Sequence, residues 1–372
     1  MRDTQAIINL KHLEDNVKAL TKHISKNSKL CGVVKANAYG HGAVEVAKRL
    51  QATGVDFLAV ALAQEAIELR QAGIDLPILV LTPVTNEEEL ELVIQNKIRI
   101  TCFRPDHARV INRLAQALNT KAYVHLKVDS GMSRIGVQNA DQGQAVLEEL
   151  EDRNCLVEGI YTHFADADNM DEEDFTRQQF DHFQTVFQTL EDQGHHFAIK
   201  HACNSAATLR FPEYHLDMVR VGICLYGYPP ASDMAGLVDL KPLMTVKTKL
   251  AHVKPLEKER YIGYNRTYQM DQDGKIGTLV IGYADGVFRS LSNKGYFLYQ
   301  GQKLPIVGRV CMDQLMVDLS QVPDIEVGDE VTWFSPESQD TYSLFEIGDQ
   351  AVSSHYEILT RISPRIPRIY QG

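Results

Sequence analysis

Short apolar runs alternate along this chain with stretches in which apolar residues recur every three or four positions, from residue 29 to about 228. The runs Leu30–Ala36, Phe57–Leu62, Ile78–Leu81, Ile98–Phe103, Ala122–Val128, Leu156–Phe164, Phe197–His201 and Met218–Tyr226 read as strands. Between them Gly42–Thr53, Gln64–Ala72, Asn86–Ile94, Asp106–Leu118, Gln142–Leu150 and Glu172–Leu190 carry apolar residues at helical spacing. Strands that alternate with helices imply a parallel sheet, and eight such units at this length predict an α/β fold, a (β/α)8 barrel. A doubly wound open sheet is the structural alternative.

The pattern changes after Tyr228-Pro229-Pro230 and the weakly patterned stretch 231–239. Leu243–Val253, Lys275–Tyr283, Tyr296–Tyr299, Leu304–Leu319 and Glu330–Phe334 read as strands, with turn signals at Asp273-Gly274 and Gly328-Asp329 and no long helix between them. The expected organisation is a barrel over residues 1–238 followed by a mostly-β domain over 239–372. The first dozen residues could pair with the β domain or cap the barrel.

Composition narrows the class. With 372 residues the chain exceeds one ordinary domain, and 44% hydrophobic against 23% charged residues describe a globular protein with ample core. A net charge of −11 and the absence of a basic run argue against nucleic acid or an anionic membrane as partner. The start, Met1-Arg2-Asp3-Thr4-Gln5, has no apolar signal region, and no apolar segment is long enough to span a bilayer. The six cysteines form no CxxC pair, and five lie in or beside strand-like runs. Buried free thiols in a reducing cytoplasm are therefore expected, not a disulfide framework or a zinc site.

The reactive side chains fall where a barrel of this type carries its site, at the C-terminal ends of the strands. Lys35 ends the first run, in Val33-Val34-Lys35-Ala36-Asn37-Ala38-Tyr39-Gly40-His41-Gly42. A lysine leaving a buried strand has its pKa lowered by desolvation and can act as an amine nucleophile, usually toward pyridoxal phosphate (PLP). Lys127, Asp129 and Arg134 close the fifth run, His163 the sixth, Asn204-Ser205 follows the seventh, and Arg220 with Gly222-Ile223 belongs to the eighth. Ser205 at a helix cap, with the amides of Gly222 and Ile223, offers the phosphate position such barrels place after strands seven and eight. Each residue also has a plain structural explanation: a strand-end histidine that is merely hydrogen-bonded, or an Asn-Ser that is merely a cap. Their convergence on one rim favours chemistry.

These motifs resemble those of bacterial alanine racemases. The matching segments are 33–42, 127–136, His201–Arg210, Met218–Gly227, Gly263–Tyr268, Gly282–Gly286, Gly308–Leu319, His355-Tyr356-Glu357 and Pro364–Tyr370, in order over nearly the whole chain. The resemblance implies that Lys35 carries PLP as a Schiff base and later acts as a base at the substrate. It implies that Tyr39, Tyr356, Asn204, Ser205, Gly222 and Ile223 hold the phosphate, with His163 also beside the cofactor. Arg220 would face the pyridine nitrogen; being donor-only it leaves that nitrogen unprotonated and keeps negative charge near Cα. Racemisation needs a second acid–base group on the opposite face, which the resemblance assigns to Tyr264 of a partner subunit. A phenol ordinarily titrates near ~10, so nearby cations, His163 and Arg220, are expected to lower it. Arg134 would hold the substrate carboxylate, Met312 and Asp313 contributed by the other subunit would line the substrate side, Tyr283 would narrow the entrance, and Lys127 would be a site of carbamylation.

Two positions depart from the common pattern: Asn265 and Ser133 stand where relatives of this family carry glycine. If the turn at 265 needs positive φ, asparagine is the next most tolerant residue. The activity implied is interconversion of L- and D-alanine, supplying D-alanine for peptidoglycan, by a cytoplasmic homodimer with shared sites. Serine or broader amino-acid racemisation, an amino-acid decarboxylase and a non-catalytic PLP-binding protein remain as alternatives. The β domain with Tyr264 and Met312 argues against the last.

Overall fold

A computed structural model describes residues 2–336 and 343–372. The chain divides into two compact units, one of residues 13–38 and 43–240, the other of residues 1–12, 39–42 and 241–372.

The first unit is the barrel. Its strands, in chain order, are Lys29–Val33, Phe57–Val60, Ile78–Val80, Arg99–Cys102, Ala122–Lys127, Cys155–Tyr161, Ile199–His201 and Met218–Val221. They pair in parallel in that order, and the eighth returns to the first through Leu30–Val219 and Cys31–Arg220. The seam between the seventh and eighth strands is joined by Asp217 N–H to Lys200 O (3.1 Å) and Arg220 N–H to Cys203 O (3.0 Å). Val, Ile, Leu and Ala fill these strands because both faces of a parallel barrel sheet are covered. The crossover helices include Ala43–Ala52, Ala63–Gln71, Glu87–Gln95, Pro105–Ala117, Ala140–Glu148 and Asp174–Asp192. Asn86 and Asn139 cap two of them, accepting the amides of Glu89 and Gln142 at 3.0 Å each.

Several strands end earlier than the apolar runs suggest. The first stops at Val33, with one more ladder bond from Val34 N–H to Ala59 O (2.8 Å), and Lys35 then opens a turn. The eighth stops at Val221, and Ile223–Tyr226 coils into a 3-10 turn. A buried apolar residue serves a strand and a buried turn equally well, so hydrophobicity alone overshoots the boundary. Leu10–His23, a helix of 14 residues, is a further element that the expected order omits.

In the second unit Met244–Leu256 is the central strand, antiparallel to Gln5–Asn9, Glu330–Phe334 and Gly274–Leu279. The N-terminus thus pairs with the β unit, and Gln5–Asn9 also runs parallel to the last strand, Arg368–Gln371. The run Leu304–Leu319 is two strands, Gln302–Pro305 and Leu315–Asp318, and the loop between them carries Arg309–Met312. Trp333, Phe297 and Phe334 fill the core of this unit. Two short helices, Leu344–Ala351 and His355–Thr360, precede the last strand.

All six cysteines are free; Cys31, Cys102, Cys203 and Cys224 are buried, and burial pushes Cys31 up to about 12. Among the described residues no helix is long and apolar enough to cross a membrane.

Candidate active site

Lys35 stands at the C-terminal end of the first barrel strand, half-buried. Burial lowers its pKa, the nearby Arg134 cation lowers it further, and Glu65 opposes both. Lys127 closes the fifth strand as a buried amine donating to Val128 O at 2.5 Å. Burial, with Arg220 and Arg134 outweighing Asp129, brings it down to about 7. The segment after it is a compact turn: Asp129 Oδ1 accepts the amides of Gly131 (3.1 Å) and Ser133 (2.9 Å), and Arg134 is exposed beyond it. Ser133 has φ 58°, which explains why a glycine would be equally at home there.

Arg220 organises the barrel interior. Its Nη2 donates to Thr162 O (2.8 Å), Ala202 O (2.9 Å) and His163 Nδ1 (3.3 Å), and its Nη1 to His201 Nδ1 (2.9 Å). A guanidinium only donates, so His201 Nδ1 accepts and its proton sits on Nε2. That nitrogen donates to His125 Nδ1 at 2.8 Å, and His125 Nε2 donates to Glu158 at 3.3 Å. Glu158 in turn receives both arms of Arg99, at 2.9 and 3.1 Å. One directed chain thus links Arg220, His201, His125, Glu158 and Arg99, with both imidazoles neutral. Gly159 makes room for it: a Cβ there would lie 2.7 Å from His125 Nδ1. Tyr161 stacks on His201 with centroids 4.7 Å apart.

His163 was expected to be a cation, and the structure reverses that expectation. Burial holds its pKa well below 6.5, and Arg220, Arg134, Lys127 and Lys35 all push the same way. A neutral ring among four basic groups is the electrostatically favoured state.

Asn204, not Ser205, is the cap of the helix Ser205–Arg210: its Oδ1 accepts Ala207 N–H (3.0 Å) and its Nδ2 donates to Phe164 O (3.3 Å). The carboxamide is engaged on both sides and fixes the loop. Ser205 is the first helical residue, and its Oγ accepts the Gly222 amide at 2.9 Å. Gly222 therefore serves the serine directly, whose own hydrogen can then be donated, and Ile223 opens the adjacent 3-10 turn. A cleft of about 370 Å³ opens at the other end of the strands, lined by Arg70, Lys97, Arg99 and Tyr123 among others, and contains none of the candidate residues.

In the second unit the buried Tyr39 ring lies 6.3 Å from that of Tyr356. Their loop is pinned by the C-terminal segment: Arg368 Nε donates to Gly40 O (3.0 Å) and Tyr370 Oη to His41 O (3.2 Å). A Cβ on Gly40, whose φ is 83°, would fall 2.1 Å from Leu359 O. Tyr264 is 69% exposed and Met312 53% exposed. Asn265, with φ 60°, takes the left-handed conformation that presents Tyr264. The 283 and 312 segments are tied by Tyr283 N–H to Cys311 O and Ala284 N–H to Met312 O, both 3.0 Å. Asp313 pairs with Arg365 at 2.6 Å, so its carboxylate is committed within this unit.

The family models for the alanine racemase N-terminal domain and the alanine racemase C-terminal domain match residues 8–230 and 243–370. The chain belongs to the alanine racemase family. Alanine racemase 1 of Oceanobacillus iheyensis is 41% identical over 370 residues, covering 99% of this chain and 98% of the relative. The alanine racemase of Methanococcus maripaludis is 42% identical, covering 98% of each chain. Among solved structures, alanine racemase of Clostridium difficile 630 superposes with TM-score 0.94 at 42% identity, covering 99% of this chain and 96% of that one. The Bacillus anthracis alanine racemase with bound L-Ala-P gives TM-score 0.95 at 35% identity, covering 100% and 96%.

Alanine racemases are PLP-dependent isomerases, and the donor set suits that cofactor. The barrel offers an amine with lowered pKa at Lys35, a donor-only partner for a pyridine nitrogen at Arg220, and a hydroxyl donor at Ser205. Sequence reasoning missed His125, His201, Glu158 and Arg99. Tyr123, His125 and Lys127 alternate along one strand and so share a face, which was a usable signal; the partners across the barrel were not readable from spacing.

Proposed function

We propose that this protein interconverts L- and D-alanine by a two-base exchange at Cα, with Lys35 on one face and Tyr264 on the other. Bound PLP would supply the electron sink that acidifies the Cα proton. Lys35, with its lowered pKa, can shed its proton and serve as the base on its face. Arg134 would orient the substrate carboxylate. Ser205 and Ile223 would hold the phosphate from the barrel, with Gly222 acting through Ser205 and Asn204 keeping that serine in place; Tyr39 and Tyr356 are the further phosphate donors that the resemblance implies. Neutral His163 would stand beside the ring, and the free amine of Lys127, titrating at about 7, would add to carbon dioxide, lose one proton to water, and pair as a carbamate anion with Arg134.

The observation that carries this reading is the chain behind Arg220. Two neutral histidines and the Glu158–Arg99 pair support a guanidinium that has only protons to give. Such a partner leaves the ring nitrogen unprotonated, keeps charge near Cα and favours proton return there.

The exposure of Tyr264 and Met312 supports a homodimer in which each residue completes the partner subunit's site. The small substrate space that Tyr356 and Met312 would leave favours alanine over serine, and D-alanine for peptidoglycan made in the cytoplasm would be the corresponding role. A division into a barrel over 1–238 and a β domain over 239–372 is supported by family matches that end at residue 230 and resume at 243.

The test mixes two inactive variants. Lys35→Ala and Tyr264→Ala chains, unfolded and refolded together, should regain racemase activity, with deuterium entering Cα of L-alanine in D2O. No recovery would argue for a site built within one chain, and retained activity in Tyr264→Ala alone would remove the second base.

A further inference from the structure

Lys35 is followed by four left-handed residues, none of them glycine: Ala36 (φ 53°), Asn37 (55°), Ala38 (52°) and Tyr39 (51°). Side-chain-bearing residues avoid this conformation, so a run of four persists only where surrounding bonds hold it. In the barrel unit Ala38 N–H donates to Val34 O (2.9 Å), and Asn37 Oδ1 accepts Ala43 N–H (2.8 Å). A further bond comes from a different loop. Glu65 Oε1 accepts the Ala36 amide at 2.6 Å, while Oε2 accepts the amides of Ala61 (2.8 Å) and Leu62 (3.0 Å).

We propose that Glu65 is the positioning residue for Lys35: one carboxylate binds the turn behind the lysine to the loop after the neighbouring strand, and so fixes where the amine stands. The proposal rests on the reading of Lys35 as the PLP-bearing amine. Its chemistry is specific. Three amide donors converge on one side chain, and only a carboxylate has two acceptor oxygens for them. Glutamine keeps the shape but turns an N–H toward an N–H; aspartate keeps the charge but is one methylene short. Glu65 occupies the third position of the helix Ala63–Gln71, where reaching back to the cap amide is ordinary. The Ala36 contact is the part that a helix cap does not need. The carboxylate also opposes the lowering of the Lys35 pKa by burial and Arg134.

The experiment compares the full-length chain with Glu65→Gln by two readouts. Hydrogen exchange of the amides in 34–38 is expected to accelerate roughly tenfold to a hundredfold, the loss of one charge-assisted hydrogen bond. The rate of PLP capture, followed by visible absorbance, is expected to fall by about tenfold, because the amine no longer stands in one place. Unchanged exchange at 34–38, with faster exchange only at 61–66, would reduce Glu65 to a helix cap and overturn the proposal. Faster exchange at 34–38 with unchanged capture would overturn it equally. If Glu65→Gln does not fold, Glu65→Asp is read by the same two measurements. Lys35→Ala is the separate control: capture that persists there sinks the reading of Lys35 itself, whatever Glu65 does.

Discussion

Glu158 lies well inside the barrel strand Cys155–Tyr161, yet it carries a full negative charge. Burial pushes its pKa up, but hydrogen bonds from His125 and Arg99 outweigh burial and leave it at about 2, below the ordinary 4.5. That depression corresponds to about 3 kcal/mol at neutral pH. The side chains of Arg99 and Glu158 are 13% and 16% exposed, so solvent screening brings the figure to about 2 kcal/mol. A carboxyl with a depressed pKa stabilises the fold fully above its unfolded value and loses that contribution as pH falls toward its folded one. Glu158→Gln is therefore expected to cost about 2 kcal/mol at pH 7, seen as a fall of roughly 4–8 °C in Tm. The gap between wild type and variant should shrink as the pH falls from about 4.5 toward about 2. Urea unfolding across that range measures it, and a cycle with Arg99→Ala isolates the pair. A gap that stays constant with pH would show that shape, not charge, is what glutamine fails to supply, and the electrostatic account of the Arg220 chain would fall.

Gly40→Ala should destabilise the fold by more than about 2 kcal/mol, since its Cβ would meet the Leu359 carbonyl at 2.1 Å with no flexible atom to yield; a Tm within a degree of wild type would contradict that packing. Ala36→Gly, at φ 53°, should leave Tm unchanged or raise it, because glycine enters the left-handed region without strain; a clear loss would show that the methyl group is needed for packing. With Lys127 titrating at about 7, roughly half the amine is free at neutral pH, so 13C-bicarbonate should give a carbamate signal that Lys127→Ala lacks. The same signal in both proteins would place the modification elsewhere.

The strands of the barrel and the order of its helices were legible because each element buries a face with its own period, and that period survives in the sequence. The helix Leu10–His23 was not legible because it follows directly on the strand Gln5–Asn9, with no glycine or proline to mark the change of period. Lys35, Lys127, His163 and Arg220 were legible because reactive residues at strand ends share a rim in any parallel barrel. The protonation of His163 was not. It depends on how many cations surround the ring, and those cations arrive from strands far apart in sequence. The left-handed turn after Lys35 was equally hidden, since Ala-Asn-Ala-Tyr has no glycine to announce it.

The sequence by itself therefore determined most of the elements and the short list of reactive groups, which follow from local periodicity and from residue types at strand ends, and it pointed to the family through motifs that resemble it in order along the chain. Only the tertiary structure decided their electrical state and their supports: a donor-only Arg220 backed by two neutral histidines, a Ser205 that receives the Gly222 amide, and a Glu65 that fastens the turn behind the lysine. Burial and hydrogen bonds between distant segments fix those properties, and no short stretch of chain carries both partners.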